Sequence, residues 1–596
     1  MNGPTSAASH LVAAGCTINE VTGKITGLCT SKGSVHIAIN YPALVPLLVL
    51  GGGVLVVLFF SAVLPKRPYR GLWAGLTVLA GTGTVADGLL QWQQLNGSSV
   101  TPVTIGDQLF YDHMGAFFAV LFGAATVLGA AISDGYLERE GLDGPEPYVL
   151  MLACSLGAVL MADAAGFVTL FLGLEILSIS LYAMSAYHRW RAASGEAGLK
   201  YLILGSLASA IFIYGAALIY GATGSLQYLG VVSFLADNAL FQNGILLGGM
   251  VLVIVGLGFK VAAVPFHFWS PDVYQGAPTP FVGYMAAVAK AAGFAALLRV
   301  LMLALPTLTS TWRPIIWVLA TLSIVFGSVL ALVQVDLKRM LAYSSISQAG
   351  YVLIGLQAGT AQGVQAVAFY VFTYTFMVIG TFAILGVLQG RGEARNDLSA
   401  VRGLATRSPW LAGAMLVLLL GQAGVPLTSG FLGKWLVIQA VLGQGQYELG
   451  LIGMLGAAVA AFFYLRVALV MFLAPDGAGA AASAALSLSG AGGPGAATVG
   501  GEGAGGEGAG GEEEGGRGWA AGRPAGYLGS DLHAIITAGL NARDKALALR
   551  PPPHARVRVP AATAAVIVLC VVFTVFAGVS TPVLSWAHAI TLPWSV

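Results

Sequence analysis

Apolar stretches of about 20 residues recur along most of this 596-residue chain, and no other feature constrains its fold as strongly. Each stretch is long enough to cross about 30 Å of hydrocarbon as a helix. The stretches are continuous rather than alternating, which excludes a membrane β-barrel. Because only helices and closed barrels satisfy the backbone in lipid, the sequence predicts an all-α integral membrane protein. Only 9% of the residues are charged, too few for the surface of a water-soluble fold of this length.

The apolar stretches predict about fourteen transmembrane helices in two inverted repeats, each of which contains a broken helix. A tail and a glycine-rich insert lie outside this bundle. The predicted domains are an extracytoplasmic N-terminal tail (1–40), the first three helices (41–146), a first repeat (147–303), a second repeat (304–475), a Gly/Ala/Glu-rich cytoplasmic insert that is largely disordered (476–559), and the last helix with the C-terminus (560–596).

The distribution of basic residues predicts the orientation of the bundle. Loops on one predicted side are rich in lysine and arginine, whereas the loops at 94–109, 221–243 and 358–363 on the other side contain neither. By the positive-inside rule the basic side is cytoplasmic, and both termini are extracytoplasmic. The exceptions are Lys24, Lys32 and Arg313.

Two further patterns do not indicate a cofactor site. Glycines of the insert match the dinucleotide-binding pattern GxGxxG at Gly501, Gly503 and Gly506, but no predicted strand precedes them, so the match is coincidental. The four cysteines include no CxxC pair, which excludes an iron–sulfur or zinc site of local spacing. A Cys16–Cys29 disulfide stays open if the tail is extracytoplasmic. The chain itself is therefore expected to hold no cofactor and no metal.

Four charged residues lie towards the middle of predicted transmembrane helices: Glu175, Lys260, Lys290 and Lys434. One charge at the bilayer centre costs about 2.5–3.5 kcal/mol, so the four together cost on the order of 10 kcal/mol. Packing alone gives no reason to retain them, and such residues are functional candidates that should face the protein interior. For Glu175 and Lys260, a purely structural ion pair is the alternative.

Basic residues nearer to helix ends have a simpler interpretation. Lys338, Arg339 and Arg191 are expected to extend to the membrane interface without a functional role. Lys200 lies about two residues into its predicted helix, where either interpretation applies.

Two of the midspan lysines lie beside helix-breaking residues. Pro265 follows Lys260 by five residues, and Gly424 and Pro426 precede Lys434. An interior proline removes a backbone hydrogen bond, and broken helices at membrane depth line cavities and mark the sites of transporters. The two breaks lie in separate halves of the chain, as an inverted repeat would place them.

Buried lysine and glutamate side chains can move protons along an internal path. Burial disfavours the charged form of a lysine and a nearby carboxylate favours it, so a lysine whose glutamate partner moves can take up and release a proton. A hundredfold change in proton affinity corresponds to about 2.7 kcal/mol. Moving one charge against about 100 mV requires about 2.3 kcal/mol, so a modulated Glu–Lys pair is able to drive a proton uphill.

The segments around these residues carry a family resemblance. They read LFLGLEILSISLYAM, GFKVAAVPFHFWSPDVYQGAPTP, DLKRMLAYSSISQAGYVL and GVPLTSGFLGKW, and they resemble the antiporter-like membrane subunits of respiratory complex I. The resemblance covers residues 105–475 and implies proton translocation coupled to quinone reduction in other subunits. Sister subunits tend to have a second histidine where this chain has Tyr274. The tyrosine in the stretch DVYQGAP resembles one subunit type of the family.

The resemblance implies a role for each midspan residue. Glu175 would be the carboxylate that modulates Lys260, the lysine of the first broken helix. Lys290 would be the central relay, and Lys434 on the second broken helix would connect to the outer exit. Lys200 resembles a family lysine near the cytoplasmic side, which is a weaker correspondence.

Two positions leave the implied path open. Family members often have histidine where this chain has Gln348, and glutamine cannot titrate. The central path would then depend on water near Gln348, Tyr343 and Ser347. His267 would assist on the cytoplasmic side, or else serve only as a capping or packing residue.

The resemblance also implies the surroundings of the chain. It would be a multi-pass protein of the bacterial plasma membrane, in contact with lipid and other membrane-arm subunits and not with nucleic acid. NADH, FMN, iron–sulfur clusters and quinone would bind in partner subunits. Because partner chains determine the coupling, three alternatives stay open: a subunit of a multi-subunit cation/proton antiporter, the membrane arm of an energy-converting hydrogenase, and a structural anchor.

Overall fold

The computed structural model describes residues 41–64, 71–97, 103–105, 108–238, 243–393, 396–473, 557–579 and 582–590. These residues form a helical bundle, as predicted, with one small hairpin at its edge. The predicted tail with its Cys16–Cys29 pair lies outside the described residues, as does nearly all of the glycine-rich insert.

The described helices are numbered in chain order. They are α1 (Tyr41–Val63), α2 (Leu72–Gly97), α3 (His113–Glu140), α4 (Glu146–Asp163), α5 (Phe167–Ser185), α6 (Ala192–Thr223), α7 (Tyr228–Asp237), α8 (Gly244–Val261), α9 (Trp269–Gly276), α10 (Thr279–Leu298), α11 (Thr309–Leu332), α12 (Leu337–Gln357), α13 (Ala361–Leu388), α14 (Leu404–Arg407), α15 (Pro409–Ala423), α16 (Ser429–Leu442), α17 (Tyr447–Phe472), α18 (Ala561–Val579) and α19 (Pro582–His588).

Short irregular elements complete the bundle. A π-helical turn (Arg299–Ala304) extends α10, and 3₁₀ turns occur at Pro306–Leu308, Arg391–Glu393 and Leu398–Val401. An antiparallel hairpin is formed by β1 (Val103–Ile105) and β2 (Leu109–Tyr111), with Val103 opposite Tyr111.

Eleven helices of the described residues are long and apolar enough to cross a membrane. Helices α2 and α12 have sufficient length but are less apolar, and α15 and α16 are each shorter than a full span. The multi-pass all-α architecture is thus confirmed, whereas the count of fourteen spans stays a prediction.

The centre of the bundle is formed by α10 and α13, which pack side by side and are the most deeply buried of the long helices. Helix α10 is rich in alanine, and it also contacts α3, α4 and α8. Small side chains allow this close approach. A methyl group added at Gly293 of α10, for example, would lie 2.7 Å from a side-chain carbon of Val261 at the end of α8.

Both predicted helix breaks are present. Helix α8 ends at Val261, where Ala262 adopts a left-handed conformation with φ of 59°, and the chain becomes helical again only at α9. Helix α15 ends before Gly424, whose φ is 85°, and α16 begins after Thr428. A left-handed residue ends a helix because it turns the chain away from the helix axis. Each break leaves backbone carbonyl groups of the first half-helix without helical partners.

Candidate functional site

Lys260 is buried near the end of α8 and has a neutral hydrogen-bond partner. Its Nζ donates to the Oγ of Ser178 at 2.8 Å and lies 5.8 Å from the ring centroid of Tyr201. Glu175 precedes Ser178 by three residues on α5, which places both on one face of the helix. The Oε1 of Glu175 is buried and has no hydrogen-bond partner. The structural ion pair considered from the sequence is therefore not formed in this conformation.

Lys290 occupies the middle of α10 and bridges two other helices. Its Nζ donates to the backbone carbonyl oxygen of Val261 at 3.1 Å and to that of Ser345 on α12 at 2.9 Å. Val261 is the residue after Lys260, so Lys290 binds the backbone directly beside the first lysine. The hydroxyls of Tyr274 and Tyr374 both reach the Oγ of Ser345, at 3.4 and 3.0 Å.

Lys434 lies on α16 and points back at the end of α15. Its Nζ donates to the carbonyl oxygens of Gln422 and Ala423, at 3.0 and 2.7 Å, and lies 4.7 Å from the ring centroid of Tyr351. Lys290 and Lys434 therefore make the same kind of contact. Each places its ammonium at the C-terminal carbonyls of a half-helix, where the helix dipole is negative.

Gln348 connects the second and third lysines. Its Nε2 donates to the carbonyl oxygen of Gln422 at 2.8 Å, the same oxygen that accepts from Lys434. It also donates to the hydroxyl of Tyr464 at 3.1 Å, while its Oε1 accepts from the hydroxyl of Tyr370. Gln348 follows Ser345 by three residues on α12, so the residue that Lys290 binds and the residue that shares an acceptor with Lys434 lie on one face of that helix.

The companions of Gln348 differ from those expected. Ser347 faces α11, where its Oγ lies 2.8 Å from the Oγ of Ser328, and Tyr343 interacts with Arg339. A cavity of about 10 Å³ adjoins Lys290, Gln348 and their neighbours, which is room for about one water molecule.

The three midspan lysines share burial without a counter-ion. Lys260, Lys290 and Lys434 are 3%, 4% and 5% exposed. Among the described residues, none of their ammonium groups has a carboxylate oxygen within the 4.0 Å of a salt bridge. Such groups can release their protons without breaking an ion pair.

Lys200 lies apart from this row. Its helix α6 begins at Ala192, earlier than expected, and its side chain is 43% exposed. The ammonium forms ion pairs with Asp272 of α9 at 2.8 Å and with Glu196 at 2.7 Å, beside an open pocket of about 360 Å³. Arg339 binds the other oxygen of Asp272 at 2.7 Å. The pocket lies at the predicted cytoplasmic end.

His267 occupies the break between α8 and α9. Its side chain is buried, and its Nδ1 has no hydrogen-bond partner among the described residues. The imidazole ring lies 4.6 Å from the ring of Phe268, which is exposed. The structure therefore brings His267 to neither the lysine row nor the Lys200 pocket through a direct contact.

A buried ion cluster at the same end of the bundle differs from the prediction. Lys338, expected to reach the interface, is fully buried, and its Nζ lies 2.9 Å from Glu393. Arg191 binds the same carboxylate at 2.8 Å, and the backbone N–H of Thr279 donates to it at 2.7 Å. Burial alone would raise the pKa of Glu393, but the charges of Lys338 and Arg191 hold this pKa at about 2. The Glu393 partner lies 55 residues beyond Lys338, beyond the reach of a local pattern.

A second buried ion pair was not predicted. Arg299, in the π-helical turn after α10, is fully buried and binds Asp112 through two hydrogen bonds. Asp163 at the end of α4 lies in the same electrostatic environment. The signal for Arg299 was present in the sequence, since it interrupts the apolar stretch FAALLRVLMLAL. Among the residues that the structure describes, no three His, Cys, Asp or Glu side chains gather as a metal site would require.

Comparisons with known proteins agree with this geometry. The family described as NADH:quinone oxidoreductase/Mrp antiporter, TM, matches residues 164–460. NADH-quinone oxidoreductase subunit N from Trichlorobacter lovleyi is 39% identical over 438 residues, which are 73% of this chain and 88% of that protein. Subunit N 2 from Roseiflexus castenholzii is 42% identical over 435 residues, 72% of this chain and 86% of that protein.

Solved structures give the same assignment. A chain of respiratory complex I from Thermus thermophilus is 35% identical, with a TM-score of 0.61 and coverage of 72% of this chain and 90% of that one. A chain of the Mrp complex from Dietzia shares the fold, at 19% identity, a TM-score of 0.72 and coverage of 92% and 97%. Since the curated relatives are matched over most of their length, the chain belongs to the subunit N family of NADH–quinone oxidoreductase, the antiporter-like membrane subunits of an oxidoreductase complex.

Proposed function

We propose that the chain translocates protons as the membrane-arm subunit N of NADH–quinone oxidoreductase, through a relay of Glu175, Lys260, Lys290 and Lys434. The observation that carries this proposal is the row of three buried lysines, which have no carboxylate partner among the described residues and bind a hydroxyl group or backbone carbonyl oxygens instead. Buried ammonium groups without counter-ions are costly, and a purely structural anchor would gain no stability from them.

The first step takes place between α5 and α8. The Lys260 ammonium donates to the neutral hydroxyl of Ser178, while one oxygen of Glu175 has no hydrogen-bond partner among the described residues. A small shift that moves Lys260 from the hydroxyl towards the carboxylate would favour its charged form, and the reverse shift would release the proton. Glu175 and Ser178 thereby act as two alternative partners for one lysine.

The second step passes from Lys290 to Lys434. Both donate to carbonyl oxygens at the end of a half-helix, and Gln348 lies between them. Because glutamine cannot titrate, it serves as a bridge that orients neighbouring hydroxyls and a water molecule. The hydroxyl of Tyr464, which contacts both Gln348 and the side chain of Gln422, is part of this bridge.

Proton uptake begins at the basic end of the bundle. The open pocket around Lys200, Asp272 and Arg339 is the polar entrance on that side, and we assign it to the cytoplasm by the positive-inside rule. His267 lies in the first helix break and would assist only if the break rearranges. Both termini would then be extracytoplasmic.

The energy for this movement comes from outside the chain. NADH, FMN, the iron–sulfur clusters and the quinone would bind in partner subunits, and displacements transmitted through the membrane arm would alter the Glu175–Lys260 distance. If the charged Lys260 is more stable beside the Glu175 carboxylate than beside the Ser178 hydroxyl by about 2–3 kcal/mol, exchanging these partners supplies enough energy to move one proton against about 100 mV.

The first experiment establishes the assembly. The tagged chain is purified in mild detergent and assayed for NADH–quinone activity and for flavin and iron–sulfur absorbance. We expect all three to copurify. If the chain arrives only with other hydrophobic subunits and drives sodium flux without NADH, the antiporter alternative replaces the proposal.

The second experiment addresses the relay in inside-out membrane vesicles. Lys290→Met removes the titratable group at similar volume, and we expect NADH oxidation to continue in an assembled complex with a reduced number of protons taken up per NADH. Arg189→Met is the control, because that guanidinium is exposed, lies over the ring of the adjacent Trp190 and has no place in the proposed path. An unchanged proton yield for Lys290→Met in the assembled complex would remove the centre of the relay.

A further inference from the structure

The carboxyl group of Asp163 has an unusual position at the end of α4. The residue is buried, and its Oδ1 is inaccessible and has no hydrogen-bond partner within the part of the chain that the structure describes. A buried carboxylate normally accepts several hydrogen bonds, because a charge without them is costly. The relay proposed above does not use this group.

The neighbouring ion pair is already satisfied without Asp163. Arg299 donates to both oxygens of Asp112, at 2.5 and 2.7 Å, and its Nε donates to the carbonyl oxygen of Ala162 at 2.8 Å. One guanidinium group therefore faces two carboxyl groups. If both carboxyl groups were ionised, the buried cluster would carry a net negative charge.

The two carboxyl groups differ in their helix positions. Asp112 is the N-cap of α3 and accepts the N–H of Gly115 at 2.8 Å, so the positive end of a helix dipole stabilises its anion. Asp163 is the last residue of α4, where the dipole is negative and disfavours an anion. When two adjacent carboxyl groups have such opposed environments, one is ionised and the other carries the proton.

The packing around Asp163 and its ion-pair neighbours is close. A methyl group at Gly115 would overlap the Oδ1 of Asp163, so only glycine allows this approach. Tyr228 of α7 is fully buried, its hydroxyl also lacks a partner, and it lies within the electrostatic range of Arg299. The Arg299 guanidinium lies 4.9 Å from the ring centroid of Phe110, which forms an apolar wall.

Backbone pairing encloses the cluster on the outer side. Leu109 forms an isolated bridge with Ala164, and the N–H of Ala165 donates to Gln108 at 2.9 Å. Tyr228 donates its N–H to the carbonyl oxygen of Ala165 at 2.9 Å. The hairpin and α7 thus hold the end of α4 in place around Asp163.

We propose that Asp163 is a further proton-carrying site, which holds a transferable proton beside the Arg299–Asp112 ion pair at the predicted outer end of the first repeat. The proposal rests on the proposed proton translocation. The charged groups that face it are Arg299 from the π-helical turn and Asp112 from the start of α3, and Tyr228 from α7 lies near the same arginine. A π-helical turn at Arg299 fits this assignment, since such turns are frequent at functional sites.

Helix α4 also connects this site to the lysine row. Ser155 lies eight residues before Asp163, about 12 Å along the helix. Its Oγ lies 2.6 Å from the hydroxyl of Tyr284 on α10 and 2.5 Å from that of Thr126 on α3. The adjacent Cys154 lies within the electrostatic range of Lys260. Helix α4 therefore carries in its middle a neighbour of Lys260 and one member of a buried group of three bonded hydroxyls, and it carries Asp163 at its end.

The test uses a reagent that distinguishes a protonated carboxyl group from an ion-paired one. The apolar reagent dicyclohexylcarbodiimide adds the O–H of a carboxylic acid across one of its C=N bonds, and the acyl group then migrates to nitrogen as a stable acylurea. The intact wild-type complex is treated between about pH 6 and about pH 8, well above the ordinary carboxyl range near 4, and modified peptides are identified by mass spectrometry. We expect modification at Asp163 and none at Asp112.

Two comparisons complete the experiment. Asp163→Asn should remove the modified peptide and lower the proton yield per NADH in the assembled complex, whereas Asp237→Asn, at an exposed aspartate on the same predicted side, should leave the yield unchanged. The proposal is overturned if Asp163 is modified only after unfolding, if sodium ions protect it from the reagent, or if Asp163→Asn pumps as the wild type does. Labelling of Asp163 does not depend on the lysines, so failure of the Lys290→Met prediction remains distinguishable from failure of this one.

Discussion

The ammonium of Lys260 donates its hydrogen bond to the hydroxyl of Ser178, at 2.8 Å, and not to the carboxylate of Glu175 one helical turn away. The structure thus shows the lysine with its neutral partner and leaves one oxygen of the glutamate unpartnered. Because both partners lie on one face of α5, a modest displacement between α5 and α8 would exchange them.

This relationship predicts the effect of Ser178→Ala. Without the hydroxyl, Glu175 becomes the better partner for Lys260, and the pair should remain in its charged form. We expect a lower rate of NADH-driven proton uptake in vesicles, with normal assembly. Ser180→Ala is the matched control, because the Ser180 hydroxyl binds only its own helix, at the carbonyl oxygen of Ile176. Equal effects of the two substitutions would contradict the partner exchange.

Gln348 should be essential as a bridge but replaceable by a titratable residue. Gln348→Leu removes one hydrogen bond each from the carbonyl of Gln422 and the hydroxyl of Tyr464, which keep other partners, and it leaves the hydroxyl of Tyr370 without its acceptor. The unsatisfied hydroxyl costs about 1–3 kcal/mol. We expect this variant to lose most of its proton yield per NADH. Gln348→His should retain it, since imidazole can donate, accept and titrate. A leucine variant with wild-type proton yield would show that protons bypass this bridge.

Lys434 and Lys200 should respond differently to the same substitution. Lys434→Met removes the ammonium bound at the end of α15 and should interrupt the outer half of the relay. Lys200→Met removes surface ion pairs, which contribute about 0–1 kcal/mol each, and should cost at most a few-fold in rate at low salt. The measurement is the number of protons taken up per NADH oxidised, for both variants in assembled complexes. A larger loss for Lys200→Met would move the centre of the path to the entrance pocket.

Glu393 should make the stability of the chain dependent on acid pH. Its pKa of about 2 in the folded protein lies below the ordinary value of 4.5, so its contribution is fully present above about pH 4.5 and is lost as the pH falls towards 2. The difference corresponds to on the order of 3 kcal/mol. In detergent at neutral pH, Glu393→Gln should therefore lower the midpoint of thermal unfolding, and this deficit should shrink as the pH is lowered to about 3.

The buried partner supplies the control for that prediction. Glu393→Gln leaves the ammonium of Lys338 buried without a counter-ion, which costs about 3–5 kcal/mol. The double variant Glu393→Gln with Lys338→Met should recover part of this loss. Glu448→Gln, at an exposed glutamate, should not change the midpoint. If the double variant is as unstable as the single one, the cluster is held together by contacts other than this ion pair.

The sequence was sufficient to predict features that depend on local pattern. The helical class follows from the apolar stretches, and the breaks after Val261 and Ala423 follow from nearby proline and glycine. The burial of Lys260, Lys290 and Lys434 follows because nothing but a protein interior accommodates an ammonium at midspan.

Partners across the bundle could not be predicted in the same way. The sequence places Lys338 at the membrane interface, because its ion-pair partner Glu393 comes from a distant loop and cannot be identified from a local pattern. From the sequence, Gln348 is a position without a titratable group in the proton path. Its hydrogen bonds to Gln422 and Tyr464 could not be predicted, because these residues lie on other helices. A single sequence contains no information on which helix faces which, so a residue whose role arises only from such contacts stays hidden.

The two half-helix ends have a mechanical consequence. Lys290 closes the end of α8 and Lys434 closes the end of α15, each by donating to backbone carbonyl oxygens that have lost their helical partners. A charged lysine therefore stabilises the carbonyl dipoles at the helix break. If the lysine loses its proton, these dipoles lose their counter-charge, and we expect the break to become more flexible. In the proposed relay, the movement of a proton and the bending of a broken helix would therefore be coupled, and a displacement imposed by a neighbouring subunit would change the protonation of the lysine.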